Sequence, residues 1–564
     1  MLSYHQMRIQ ITHTTFVYLV GMAMLLLWPG LSNGTATLPT LPQVYIDTTY
    51  SPPTGGTTWT VNARGNFQTA LNNANPGDTI VLQAGATFTG PFTLPYKTSG
   101  SGWIYIVSSK YSSLPAPGNR VAPTDAVNMP KIVVKAGSGG AVNTQSNASH
   151  YRFVGIEFTP VSGQSPTYLI AIGNANSPET SVSALPNNIT IDRCYIHGDP
   201  TVGGRRGVTM NGSSVAVVDS YVSDFFQPGT DSQALSEWNS PGPIRIHNNF
   251  LEGASENVIF GGADSSISGL IGSDIEITGN YFFKPLSLVG AGMAVKNLLE
   301  VKNGQRMLIQ GNIFQNVWAD GQVGFAVLIT PKDQAGTNPW TLTQDITFSN
   351  NILNNVGSGI NMCGKSCTAP VTQWNSRVLI QNNVFNVTAL NGSTGAMFQI
   401  IAGSYDITIN HNTGFLNTGS IKGLLGSIDP ANDPSNPNPK VNGFTFTNNL
   451  VTSGTYGWKG SGMAEGAATL NAFFTNWTFT NNAIIGDSNP SYYPANNFFP
   501  ATIDAVGFVN YAGGDYTLAP TSPYKNAGTD GLDLGANINA VGIATTGALG
   551  SGTLSPPTGL QITQ

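Results

Sequence analysis

The chain has 564 residues, of which 9% are charged, against about a quarter in an ordinary globular protein. Hydrophobic residues make up 40% and the formal net charge is −6. That combination excludes a disordered polyelectrolyte, and the absence of any basic run or basic-aromatic patch argues against a nucleic-acid partner.

Residues 1–36 read as a secretory signal peptide. Arg8 and His13 precede an apolar run from Phe16 to Trp28, followed by Pro29, Gly30 and small residues up to Ala36. The run is short for a membrane span, so the expected location is secreted or periplasmic, with no membrane association after cleavage. Residues 37–60 form a Pro/Thr-rich lead-in. From Phe67 to Leu82 the pattern predicts a short helix, a Pro76-Gly77-Asp78 turn and a strand. A helix in this position would cap the open end of a solenoid, hiding its core and blocking edge pairing.

A repeat then takes over. Its unit is an alternating apolar strand, a polar residue or Gly, an Asn, and two or three apolar residues. The copies begin at Ile189, Val215, Ile244, Ile275, Met307, Ile346, Val378, Ile407, Phe444 and Trp477. Their aligned positions are Cys194, Ser220, Asn249, Asn280, Asn312, Asn351, Asn383, Asn412, Asn449 and Asn482. The segment starting at Tyr151 is an earlier, degenerate copy. Each strand can bury one face only if others stack above and below it, and an Asn at the same turn of each coil can bond the Asn of the next. Asn also tolerates the left-handed backbone that a sharp turn demands. Strands recurring in one direction make parallel sheets. With the handedness rule for parallel connections this predicts an all-β, right-handed parallel β-helix solenoid of about ten or more coils over residues 61–545, with an N-terminal helical cap and an Asn ladder. The longest steps, Asn312 to Asn351 and Asn412 to Asn449, place projecting loops at Asp333–Trp340 and Asp429–Pro439. Residues 515–535 read as a closing segment on the far end. Residues 546–564 are a Gly/Ser/Pro linker and a stub resembling the first strand of a fibronectin type III domain. Cys363 and Cys367 are close enough for a small disulfide loop, and export permits one. Cys194 reads as a buried small hydrophobe.

The cap segment, the Asn ladder and the closing Ser-Pro-Tyr-Lys-Asn-Ala-Gly resemble those of the pectin-lyase-like superfamily, over roughly residues 45 to 545. The chain is also similar to exported bacterial β-helix repeat proteins in five motifs. These are Trp238–Pro243, Ser255–Asp264 (Ser255 replacing a Gly), Phe282–Ser287, Val295–Asn303 and Trp318–Gln322. The resemblance implies the fold and a substrate class, polysaccharide, more than a reaction.

Charged residues are scarce overall but crowd into the central coils. Strand parity would put Lys296, Glu300 and Lys302 outward while Val295, Leu299 and Val301 pack inward. Three chemistries follow. In β-elimination from a uronate, Lys302 beside Lys296 and Arg306 is the candidate base, with Glu300 in the same row. Glu256, Asp264 and Glu300 are candidate Ca²⁺ ligands that would neutralise the sugar carboxylate. Trp238, Asn239, Glu237, Trp318, Gln322 and Lys332 are candidate substrate contacts, the two tryptophans stacking on sugar rings. Glu300-Val301-Lys302 is also similar to the Glu-and-Lys strand of alginate and chondroitin lyases of this fold, although its spacing to the ladder Asn and to a following Arg departs from theirs. Hydrolysis would instead need a carboxylate pair, Glu256 or Asp264 with Glu300. The third reading is a non-catalytic carbohydrate-binding or adhesion solenoid. The expected protein is a monomer acting on extracellular polysaccharide, first as a lyase, then as a glycoside hydrolase.

Overall fold

A computed structural model describes residues 36–174, 179–366, 372–417, 424–429 and 440–550. The signal segment up to residue 35, Cys367, nearly all of the Asp429–Pro439 loop and the stub from residue 551 lie outside the described residues. Among those described, three parallel sheets of 14, 13 and 12 strands share the chain, each taking roughly every third strand. The chain is therefore a right-handed parallel β-helix.

The apolar repeat sets the register. Ile189, Val215, Ile244, Ile275, Met307, Ile346, Val378, Ile407, Phe444 and Trp477 are successive partners in the 14-stranded sheet. All but Trp477, which packs against it from a partly buried position, belong to one continuous apolar core. The same sheet also holds Thr58–Val61, Thr79–Leu82 and Ile104–Ser108, so the stack begins well before the first copy read from sequence. The helix Phe67–Asn73 starts at Asn66, whose side chain accepts from the Thr69 N–H, and it sinks Phe67, Ala70 and Leu71 into the first coil.

The aligned asparagines bond in series. The backbone N–H of Asn249 donates to Asn280 Oδ1, Asn280 to Asn312, and so on to Asn482, at 2.8–3.0 Å. Each Nδ2 also donates to the next Oδ1, for example Asn280 to Asn312 at 3.0 Å. Asn497, only 15 residues on, accepts from Asn482 and adds a rung outside the repeat spacing. The left-handed residue is not the ladder Asn itself, contrary to expectation. It is the one before it: Asn248, Asn350, Asn382, His411, Asn448 and Asn481 all have φ between 50° and 60°. The ladder side chain must point along the stack to reach its neighbour, so the turn strain falls on the preceding residue.

The lead-in and the closing segment run along the flanks of the stack. The lead-in crosses the outside of the 14-stranded sheet, where Thr40 N–H donates to Asp345 at 2.9 Å and Gln43 N–H to Asp274 at 2.8 Å. Arg245 and Arg152 donate to the carbonyls of Ile46, Thr48 and Thr49. The closing segment does not sit only on the last coil. It runs back along the column, through Asp530 on His411 and Asn537 on Asn382, until Ala548 accepts from the buried Arg120. Tyr516 and Val541 pack on Val384 and Phe415 along this path.

Candidate functional site

The central charged residues gather on the outer side of the 12-stranded sheet, and most do not lie in strands. The strand in question is only Leu299–Val301. Leu299 and Val301 enter the core as parity predicts, and Glu300 takes the opposite side in register with Ile259 and Leu328. Lys296 and Lys302 flank the strand. Val295 is a correction: it packs with Trp318, Leu288 and Ala254 in a satellite cluster outside the main core.

Glu300 is not solvated. Its side chain is 1% exposed, and Lys302 Nζ lies 3.1 Å from Oε1. Glu256, equally buried, lies beside it. Burial, and then the neighbouring Glu300 charge, push the Glu256 carboxyl above the usual range. Lys296 Nζ sits 3.4 Å from Glu256 and 2.6 Å from Asp231. Burial works against the Lys296 ammonium, but Glu256 and Asp231 outweigh it and raise its pKa. Beneath these, the fully buried Lys284 donates to the carbonyls of Gly253, Ala254 and Ser255 at 2.6–3.0 Å. Burial drives its pKa down, opposed by Glu256 and Glu252.

The layer facing solvent is mainly basic, with the 43%-exposed Asp231 carboxylate lying on Lys296. Lys296 and Lys302 keep 18% and 17% of their side chains exposed above the two carboxylates. Lys332, half-buried, follows on the next coil, its N–H donating to the Lys302 carbonyl. Its pKa is lowered by partial burial and then by the Lys302 charge. Gly261 makes room for this row. A Cβ there would lie 3.0 Å from Lys302 Cβ and 3.1 Å from Asn303 N, and the residue has φ +82°.

Three residues not anticipated from sequence, Arg206, Gln233 and Tyr168, extend the site toward the N-terminal coils. Arg206 Nε donates to Gln233 Oε1 at 2.8 Å, and Gln233 Nε2 donates to Glu256 Oε2 at 2.8 Å. The Arg206 guanidinium lies 5.7 Å from the ring centroids of both Tyr168 and Trp238. Gln233 and Glu256 are direct register partners, as are Arg206 and Gln233. The adjacent arginines 205 and 206, between glycines in a charge-poor chain, were the signal that could have found this end.

Several expected contacts are not at this surface. Trp318 is fully buried, its indole N–H without an acceptor among the described residues, so it stacks on no sugar. Arg306 belongs to the 14-stranded sheet and pairs with Asp274 at 2.7 Å rather than joining Lys302. Glu237 is buried and accepts from Ser240 N–H at 2.6 Å; burial lifts its pKa to about 8. Asn239 is buried and its Oδ1 accepts from Ser265 and Ser266. The Gln322 backbone bonds Val295 and Asp320, and its side chain joins none of the groups above. Asp264 accepts from the N–H groups of Gln334 and Ala335 and from the Thr337 hydroxyl, anchoring the projecting Asp333–Trp340 loop beside Lys332. Its carboxylate is thus engaged in the loop, and the expected Ca²⁺ set of Glu256, Asp264 and Glu300 is not assembled. Among the described residues no group of three or more His, Cys, Asp or Glu is placed to hold a metal ion. Trp238, half-buried, remains at the surface. Cys363 is disulfide-bonded, while Cys194 is free and buried.

The chain matches no protein-family model and no curated protein. Among solved structures it is similar to a mutant of the PL6 family alginate lyase AlyGC, at 13% identity, covering 86% of this chain and 58% of that one, with a TM-score of 0.45. It therefore spans somewhat over half of that lyase. It is also similar to pectate lyase Pel9A, at 15% identity, 85% and 95% coverage and a TM-score of 0.28. A third is the catalytic unit of a thermostable GH87 alpha-1,3-glucanase from Streptomyces thermodiastaticus strain HF3-3, at 10% identity, 78% and 71% coverage and a TM-score of 0.47. These are likenesses of fold.

Proposed function

We propose that the chain is an exported, monomeric enzyme that cleaves a uronate-containing polysaccharide by β-elimination on the outer face of the 12-stranded sheet. One observation carries this reading: Lys296 and Lys302 reach the surface above two carboxylates, Glu256 and Glu300, that are sealed at 1% exposure, Asp231 on Lys296 being the exposed acidic neighbour. A basic rim attracts a polyanion, and Glu256 and Glu300 supply buried counter-charge beneath it.

In the reaction, Lys296 and Lys302 engage the sugar carboxylate and withdraw charge from C5. An amine then takes the C5 proton, the C–H electrons become the C4–C5 double bond, and the C4–O bond breaks with its electrons on the leaving oxygen, which takes the proton back from that ammonium. Lys332 is the better base than the Lys302 read from sequence. Partial burial and the Lys302 charge disfavour its protonated form, whereas Lys302 is ion-paired to Glu300. No step runs through calcium. Hydrolysis by Glu256 and Glu300 is the second reading, favoured by the raised Glu256 pKa.

Incubation with polygalacturonate and with alginate decides between them. Unsaturated ends absorbing in the near ultraviolet, lost by about 10²–10⁴-fold in Lys332→Met, are the expected result. New reducing ends without that absorbance would replace the lyase by a hydrolase. No cleavage of either polymer would leave a binding solenoid.

A further inference from the structure

The Arg206 end of the site has no part in the elimination just described, yet it is built with care. The guanidinium is held at one edge only. Nε is spent on Gln233, whose own amide is fixed by Glu256. Nη1 and Nη2 make no hydrogen bond among the described residues, and Arg206 is half-buried rather than lost in the core. Its Cζ lies 5.7 Å from the centroids of two half-buried rings, Tyr168 and Trp238. A buried arginine normally finds acceptors for all its donors. An unbonded Nη1–Nη2 edge with two aromatic rings close by can meet a carboxylate in bidentate fashion while sugar faces stack alongside.

The placement along the column matters as much. Arg206, Gln233, Glu256 and Glu300 lie on four successive strands of one sheet, Glu300 in register with Ile259, three residues along from Glu256. At about 4.8 Å per strand, three steps set Arg206 roughly 14 Å along the stack from Lys296, which meets Glu256 in the same row. A single extended polymer lying along the stack would touch both.

We infer that Arg206, flanked by Tyr168 and Trp238, is the carboxylate-reading residue of a separate substrate subsite, three coils from the reacting centre, with Gln233 as its positioning residue. The inference rests on the polyuronate reading above and adds to it the selection of the free acid over an esterified or neutral chain. Specificity of this kind follows because an ester offers the guanidinium no anionic pair of oxygens.

Affinity electrophoresis on gels containing polygalacturonate, its methyl ester, or a neutral β-glucan tests it directly, using the parent, Arg206→Ala and Arg206→Lys with melting temperature as a folding control. The parent should be retarded by the free acid, Arg206→Ala should lose about ten- to a hundredfold in affinity, and Arg206→Lys should recover only part. On the methyl ester the three should coincide. Retardation of Arg206→Ala within about twofold of the parent, an equal loss on the ester, or a parent that binds no free acid would each overturn the inference. The two readings fail separately. Unsaturated products with an Arg206-independent affinity would keep the lyase and remove the subsite, whereas Arg206-dependent binding without such products would do the reverse.

Discussion

Replacing Lys302 with Met leaves the Glu300 carboxylate, 1% exposed, without the ammonium now 3.1 Å away. Breaking an enclosed ion pair by removing one partner costs about 3–5 kcal/mol. Lys302 keeps 17% of its side chain in solvent, and screening brings the expected loss to about 2–3 kcal/mol. Glu300→Gln is milder, about 1 kcal/mol, because it removes the charge that needs compensation and leaves Lys302 able to reach water. The double variant should therefore lie close to Glu300→Gln alone, a coupling of about 2 kcal/mol. Denaturant midpoints of the four proteins at neutral pH and low salt give the cycle. Additivity within about 0.5 kcal/mol would refute the claim that Lys302 compensates a buried charge. Activity supplies the second arm: Lys302→Met and the double variant should both be inert well below their melting temperatures. A double variant that regained both stability and turnover would make the lysine structural and remove it from the reaction.

Other expectations follow from the same contacts. Asn312→Ala strips the Asn280 N–H of its acceptor and the Ile277 carbonyl of its donor, and should cost about 3–4 kcal/mol by denaturant midpoint; a loss under about 1 kcal/mol would mean that the ladder contributes little. Glu237, whose pKa burial lifts from 4.5 to about 8, is neutral in both states at low pH, but above pH 4.5 the unfolded chain ionises first, so stability falls between pH 4.5 and about 8. Glu237→Gln, retaining the acceptor for Ser240, should thus gain about 3–5 kcal/mol over the parent at pH 8 and nothing at pH 4, read from thermal midpoints; parallel pH profiles would contradict this. Asp274 and Asp345 bear the lead-in. Burial opposes their charge, but Arg306 and Arg377 with the N–H groups of Gln43 and Thr40 lower both pKa values below 3.8. Their stabilisation is complete above that value and is lost as pH falls through the folded values, so proteolysis near residues 40–50 should accelerate only in strong acid.

Much of the architecture is legible in the residues because a solenoid repeats one chemical problem. Every coil from Asn249 to Asn482 needs the same amide at the same corner, and the apolar partners of Ile244 recur wherever the core must be refilled. The earliest strands, such as Ile104–Ser108, escape notice because Ser109 stands where the amide would be, so hydrophobicity alone marks that coil. Parity reads correctly which side of the backbone Glu300 takes. It cannot tell whether loops and lysines then cover that side, and this is why a carboxylate expected in solvent is sealed. Trp318 fails for a related reason. It stands among polar residues in sequence, yet its neighbours in space are Val295 and Leu288 from the preceding coil. Arg206 meets Gln233, and Gln233 meets Glu256, across 27- and 23-residue intervals with no repeated motif, so nothing local announces the contacts.

The two flanking segments alter how such a stack must come apart. Coils that touch only their neighbours behave as a one-dimensional array, free to fray from either end in small steps. Here Thr40 is fastened to Asp345, 305 residues later, and Arg120 to Ala548, 428 residues later. Loosening a terminal coil therefore breaks a contact anchored deep in the array, which turns gradual fraying into a more nearly all-or-none transition. The same fasteners order the events of folding. In a chain synthesised from its N-terminus, the coils can zip up as they appear, but neither fastener can close until its distant partner exists. Closure then comes last and slowly, since contacts of such sequence separation carry the largest entropic delay.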